Sequence, residues 1–108
     1  MTDKRIVLTT AGTKEEAQKI AHGLVEARLA ACVNIVGPME SVYRWKNKVE
    51  SSAEFLLVIK TTAAAFEAVR AAIKKLHSYE LPECVMLDIE DGSNEYLAWI
   101  ADSVGPGT

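Results

Sequence analysis

The sequence predicts an α+β fold with the ferredoxin-like order βαββαβ, extended by an additional C-terminal helix. Three observations lead to this prediction. Strand-like segments rich in β-branched residues alternate with two amphipathic helical segments, a hairpin signal separates the second strand from the third, and 108 residues suit one domain. We therefore expect a single domain over residues 1–108, with residues 105–108 as a disordered tail.

The first strand and helix are predicted from residues 5–25. Residues 5–11 form a strand pattern that Gly12 ends, and Thr13 with Glu16 has the spacing of a capping box at a helix start. Gly23 inside the helix predicts close approach to a neighbouring element. The apolar positions form one stripe that should face the core: Ala17, Ile20, Ala21, Leu24 and Val25.

The next two strands are predicted to form a long hairpin. Residues 31–36 are strand-like, Gly37-Pro38 should bend or bulge the strand, and extended structure resumes at Ser41. The turn is expected at Lys46-Asn47, since asparagine reaches positive φ at modest cost. The returning strand is predicted over residues 54–60.

A second helix is predicted from about Thr62 to Leu76, with Phe66, Val69 and Ile73 on its apolar stripe. Residues 84–89 form the last predicted strand. Ser93 or Asn94 is the expected cap of the third helix.

The third strand suggests an oligomer. Its segment Phe55–Ile59 is apolar at every position, so side chains on both sheet faces need cover. Both main helices should lie on one face of the sheet, because right-handed crossovers place them there. The other face would be bare in a monomer, and we therefore expect self-association.

Composition and charge narrow the functional classes. With 12 basic and 15 acidic residues the net charge is -3, which argues against a nucleic-acid partner. No apolar run approaches the ~20 residues of a membrane helix, so no membrane association is expected. These features predict a soluble, cytoplasmic protein in which Cys32 and Cys84 remain reduced.

Two segments carry the candidate site residues. Tyr43 and Trp45 alternate with other residues on the hairpin and so share one face, while residues 76–83 connect the second helix to the last strand. A cleft at a subunit boundary could bring the polar and aromatic side chains together, either as a ligand site or as interface ion pairs and packing. The candidate ligand-binding residues are Tyr43, Trp45, Lys60, Tyr79, Glu80 and Glu83.

Metal binding and catalysis are weighed from the same segments. His77 is the candidate metal ligand, with Glu80, Glu83, Cys84 and Met86 as nearby donors of mixed hardness. A histidine at a helix end can equally be a cap or a dipole partner. No arrangement of nucleophile and base suggests an enzyme.

Four blocks of the chain, residues 29–35, 41–50, 76–83 and 96–100, resemble the CutA family of divalent-cation tolerance proteins in order and spacing. The resemblance extends from about Ile6 to Ile100. It implies a non-enzymatic homotrimer, linked to tolerance of copper or another divalent cation, that requires no cofactor and binds metal at a cleft between subunits.

The chain departs from the copper-associated pattern of that family. Family members proposed to bind copper are associated with a cysteine near the end of the first strand and a histidine pair at the end of the second helix. This chain has Thr9 and Leu76-His77 at those positions. The alternative is a signalling or scaffold trimer, similar to the nitrogen-regulatory PII proteins, whose cleft takes a small molecule or a partner protein.

Overall fold

A computed structural model describes residues 2–106 and contains four strands and three helices in that range. The elements are β1 (Lys4–Ala11), α1 (Lys14–Glu26), β2 (Cys32–Trp45), β3 (Lys48–Thr62), α2 (Phe66–Leu76), β4 (Val85–Asp88) and α3 (Asn94–Ser103). The predicted α+β class and element order are confirmed.

The strands form one sheet in the order β2-β3-β1-β4, with every neighbouring pair antiparallel. β1 and β3 are central, and Val7 of β1 lies opposite Ile59 of β3. This is the split βαβ arrangement of a ferredoxin-like sheet. The two outer strands, β2 and β4, leave one edge each without a strand partner in the described chain.

The main core lies between the sheet and the two longer helices. Its fully buried members include Leu57 and Ile59 from β3, Ile20 and Leu24 from α1, and Ile73 from α2. Burying a side chain of this size stabilises the fold by about 1.5–3 kcal/mol. The predicted stripe of α1 is thus confirmed at four of its five positions.

The prediction is wrong at Val25, the fifth position of the stripe, which is 41% exposed. It lies at the C-terminal end of α1, next to the last helical residue, Glu26. Close packing at Gly23 is confirmed. A β-carbon at Gly23 would lie 3.0 Å from Cδ1 of Leu76, so α2 approaches α1 closely there.

The hairpin of β2 and β3 is longer than the sequence indicated. Its strands pair from Cys32 and Lys60 out to Trp45 and Lys48, with an irregularity between Val36 and Met39 at the predicted bulge. The turn is at Lys46 and Asn47, whose φ values of 51° and 67° fit the twist of a two-residue hairpin.

Two element boundaries differ from the prediction. α2 begins at Phe66 rather than near Thr62, because Thr62 to Phe66 form tight turns in which Ala65 N donates to Thr62 O at 3.2 Å. β4 covers only Val85–Asp88, and all four of its residues are exposed. The predicted cap of α3 is Ser93, whose hydroxyl accepts from Tyr96 N at 3.4 Å.

The sheet face expected to be bare is partly covered by α3. This helix packs against β3 and β1, and its Ile100 is buried. Lys60 lies on this face, since alternation along β3 turns it away from Ile59. Val85 and Leu87 of β4 lie on the same face, opposite Leu8 and Ile6 of β1. Both remain exposed, so α3 does not cover this face completely.

The α1–β2 loop holds the end of α3. Arg28 Nη2 donates to Asp102 O at 2.8 Å, and Gly105 N donates to Arg28 O at 2.8 Å. The predicted tail begins at this bonded glycine, whereas Gly107 and Thr108 lie outside the described residues. Within residues 2–106, no helix is both long and apolar enough to cross a membrane.

Candidate functional site

A cleft of about 740 Å³ opens between the β2–β3 hairpin and the connection from α2 to β4. Its wall on the hairpin side follows the two-residue period of the strands except at Val42, because paired residues share one face. The lining residues are Thr10, Met39, Ser41, Val42, Tyr43, Trp45, Glu50, Ser52, Glu54, Leu56, Tyr79, Glu80, Leu81 and Glu83.

The hairpin supplies two aromatic side chains to this cleft. Tyr43 lies opposite Glu50, and its hydroxyl accepts a hydrogen bond from Ser52 Oγ at 3.4 Å. Trp45 lies near the turn, with Nζ of Lys46 5.8 Å from its ring centroid. Tyr43 is 40% exposed and Trp45 is 36% exposed.

The centre of the site is the pair Glu54 and Tyr79. Tyr79 Oη donates to Glu54 Oε2 at 2.6 Å, and Glu54 is only 7% exposed. Burial and the bonded carboxylate raise the pKa of Tyr79 far above its ordinary value, so the phenol stays a proton donor. Space here is tight, since a β-carbon at Gly12 would lie 3.1 Å from Tyr79 Oη.

His77 lies behind this pair with its side chain fully buried. Its Nδ1 accepts from Tyr79 N at 3.1 Å, and its Nε2 lies 2.5 Å from the carbonyl oxygen of Thr10. A carbonyl only accepts, so these two bonds assign the neutral ring with the proton on Nε2. Both nitrogens are engaged, and a metal at Nδ1 would have to displace the Tyr79 amide.

Glu16 anchors the same connection from α1. The first half of the predicted capping box is confirmed, as Thr13 Oγ1 accepts from Glu16 N at 3.1 Å. The carboxylate of Glu16 accepts from Ser78 N at 2.9 Å. Burial alone would raise the pKa of Glu16, but the Ser78 hydrogen bonds hold it below its ordinary value.

The structure brings most of the predicted site residues together. Five of them line the cleft: Tyr43, Trp45, Tyr79, Glu80 and Glu83. Lys60 is elsewhere, with Nζ 5.8 Å from the ring centroid of Tyr96 on α3. His77 contacts Tyr79 from behind, with 4.5 Å between ring centroids.

Sequence reasoning missed Glu50 and Glu54, which line the cleft. The signal for Glu50 was the hairpin register, since a turn at Lys46-Asn47 places it opposite Tyr43. Glu54 carried a different signal. It is the last charged residue before the apolar strand segment Phe55–Ile59, and the predicted strand already includes it. A carboxylate within such a strand becomes buried.

Within residues 2–106, no group of three or more His, Cys, Asp or Glu side chains is placed so that it could hold a metal ion. Cys32 and Cys84 are both free thiols. Burial raises the pKa of the Cys84 thiol, which disfavours the thiolate that metals require.

Comparison with known proteins identifies the family. The family model described as CutA1 divalent ion tolerance protein matches residues 5–103. The chain is 46% identical over 102 residues to the divalent-cation tolerance protein CutA of Thermus thermophilus, covering 94% of this chain and 99% of the relative. The solved structure of the Thermus thermophilus protein superposes with a TM-score of 0.93 over 94% of this chain and 99% of the other.

A plant relative and an archaeal structure bear on location. Protein CutA, chloroplastic, of Arabidopsis thaliana is 42% identical over 98 residues, which are 91% of this chain but only 54% of the relative. The periplasmic divalent cation tolerance protein CutA of Archaeoglobus fulgidus has a TM-score of 0.91 and 40% identity, covering 94% of this chain and 99% of that chain.

These relatives overturn the prediction of a cytoplasmic protein. Charge, hydropathy and reduced cysteines do not distinguish the cytoplasm from a plastid or periplasm once any targeting segment lies outside the shared domain. The match over residues 5–103, the identities of 40% to 46% and the shared fold lead to one conclusion: this chain belongs to the CutA1 divalent ion tolerance protein family.

Proposed function

We propose that this protein is a non-enzymatic trimer that serves divalent-cation tolerance and binds cations in the cleft. One observation carries the proposal. Four carboxylates, those of Glu50, Glu54, Glu80 and Glu83, line the cleft, and no lysine, arginine or histidine is among its lining residues. Such a surface attracts cations and repels anionic ligands.

A single subunit should bind divalent metal ions only weakly at this site. Zn²⁺ and Cu²⁺ take several protein ligands in tight sites, and the described residues offer no convergent set of three. One or two carboxylates with water, or carboxylates from more than one subunit, would have to complete the coordination. His77 holds the connection that carries Glu80 and Glu83, and its bonds to Thr10 and Tyr79 support that positioning role.

Exposed apolar groups support self-association, and the family resemblance suggests three subunits. Val85 and Leu87 on the edge strand β4 are 47% and 46% exposed, and Val42 and Val49 on the hairpin are 65% and 67% exposed. Unpaired strand edges with apolar side chains favour pairing with another chain. The hairpin contributes to an elongated subunit of 46 × 25 × 22 Å.

Calorimetric titration with Cu²⁺ and with Zn²⁺ tests cation binding by the assembled protein. We expect weak binding that Glu54→Gln and Glu80→Gln reduce. The matched control is Glu26→Gln on the exposed end of α1, which should leave the affinity unchanged. Tight binding abolished by His77→Ala in a folded variant would move the site to His77, and equal binding by all variants would refute the cleft.

A second candidate is a PII-like signalling or scaffold trimer whose cleft takes a small molecule. The supporting observation is the cleft itself, because about 740 Å³ with three aromatic side chains suits an organic ligand better than a bare ion. Screening by thermal shift would separate the two candidates, since only the second expects an organic compound to stabilise the trimer.

A further inference from the structure

We propose that the cleft binds an organic ammonium ion, a primary amine carried on an apolar body. This inference rests on the proposed function only in placing binding in this cleft. It adds the chemical class of the ligand, which three features of the lining specify in turn: a buried carboxylate, aromatic faces and apolar walls.

The buried carboxylate is Glu54. It is 7% exposed, it accepts a hydrogen bond from the neutral phenol of Tyr79, and no ion pair involves it within the described chain. A buried charge is costly unless an opposite charge or further hydrogen bonds compensate it. An ammonium group meets both needs, since it carries the positive charge and three N–H donors.

The aromatic faces belong to Tyr43, Trp45 and Tyr79. An alkylammonium over such a ring gains a cation–π interaction, strongest for tryptophan. Trp45 already has such a neighbour, because Nζ of Lys46 lies 5.8 Å from its ring centroid. An ammonium group of a ligand on that face would take the place of Lys46.

The apolar walls of the cleft favour an organic ammonium ion over a metal ion. Met39, Leu56 and Leu81 line the cleft beside the carboxylates, and hydrated metal ions gain nothing from such surface. A hydrocarbon body does, at about 25 cal/mol for each Å² buried. The lack of three convergent metal donors in residues 2–106 fits the same ligand class.

The test is calorimetric titration of the intact assembled protein at pH 7 with three probes of matched length. Pentylamine carries one ammonium group, 1,5-diaminopentane carries two, and 1-pentanol carries none. We expect affinity in the order diamine, monoamine, alcohol. Glu54→Gln should weaken binding of pentylamine about tenfold or more, and Trp45→Leu should weaken it while keeping an apolar wall.

Two further variants keep the test decisive. Glu80 is exposed, so the Glu80→Gln variant should fold even if Glu54→Gln does not. We expect Glu80→Gln to weaken binding of the diamine. Glu26→Gln on α1 is the matched control and should change neither amine. Circular dichroism verifies that each variant is folded before titration.

The outcomes distinguish this inference from the proposed function. Equal binding of pentylamine and 1-pentanol, or amine binding that no cleft variant changes, overturns it. If neither amine binds but Cu²⁺ or Zn²⁺ binds in a manner sensitive to Glu54→Gln, the ammonium assignment fails and the cation cleft stands. If no cation binds and Glu54→Gln dissociates the oligomer, a second copy fills the cleft and both proposals fail.

Discussion

At the scale of single residues, the site depends on one buried carboxylate and the phenol that donates a hydrogen bond to it. Glu54 is 7% exposed and accepts the Tyr79 hydroxyl at 2.6 Å. Tyr79 is fixed in turn by the hydrogen bond that its backbone N–H donates to His77 Nδ1 and by the close approach of Gly12. These residues matter because a buried carboxylate that lacks a hydrogen-bond donor costs more free energy than the hydrogen bond itself contributes.

Tyr79→Phe should lower the free energy of unfolding by about 1–3 kcal/mol, because it leaves Glu54 buried without its donor. Urea denaturation at pH 7 measures the change. Tyr43→Phe is the matched control, since its hydroxyl makes only a 3.4 Å bond with the Ser52 side chain. Equal effects of the two substitutions would show that the Tyr79–Glu54 bond does not contribute more than an exposed one.

At the scale of elements, the connection between α2 and β4 is held to α1 and β1 by side chains rather than by regular structure. Glu16 accepts from Ser78 N at 2.9 Å, and His77 bonds to the carbonyl oxygen of Thr10. These anchors place Tyr79, Glu80 and Glu83 along the cleft. An irregular segment with fixed function needs such ties, because its backbone groups have no strand or helix partners.

The Glu16 anchor should make stability depend on pH. Its pKa is lowered in the folded chain from an ordinary value near 4.5, so its contribution is complete above that value. It is lost as the pH falls through the lowered folded pKa. We expect Glu16→Gln to cost about 1 kcal/mol at pH 7 and to flatten the pH dependence of unfolding below pH 4.5.

Urea denaturation between pH 7 and pH 3 measures that dependence, with Glu15→Gln as the control at an exposed neighbouring position. Parallel pH curves for the natural chain and Glu16→Gln would contradict the assignment. The cleft should respond as well, because releasing Ser78 loosens the connection that carries Glu80 and Glu83.

At the scale of the whole molecule, apolar surface is left where the chain by itself cannot cover it. α3 packs on the second sheet face but leaves Val85 and Leu87 of β4 about half exposed. Both residues belong to an edge strand without a second partner in residues 2–106. Subunit contacts through this edge would bury that surface at the stage of assembly.

The double substitution Val85→Lys and Leu87→Lys should dissociate the proposed trimer and leave the subunit folded. Both side chains are exposed in the subunit, so charge there opposes pairing of edges but not packing of the core. Native mass spectrometry measures the assembly, and circular dichroism measures the fold. Val25→Lys, at a 41% exposed position on α1, is the control. A trimer that persists in the double variant would place the interface elsewhere.

Local patterns in the sequence predict the elements and their order. The turn at Lys46-Asn47, the cap at Thr13 and four of the five predicted positions of the α1 stripe all follow from local rules that act over a few residues. The same two-residue period placed Tyr43 and Trp45 on one hairpin face, and both line the cleft. These features were predictable because propensity and periodicity are properties of short segments.

Which segments contact one another depends on the fold of the whole chain. Glu16 bonds to Ser78, which is 62 positions away, and Lys60 faces Tyr96 rather than the cleft. α3 covers a sheet face that local patterns left open, and Glu54 meets Tyr79 across 25 positions. Such contacts depend on the packing of whole elements, because a side chain's partner is set by where distant segments are brought together and not by its neighbours in sequence.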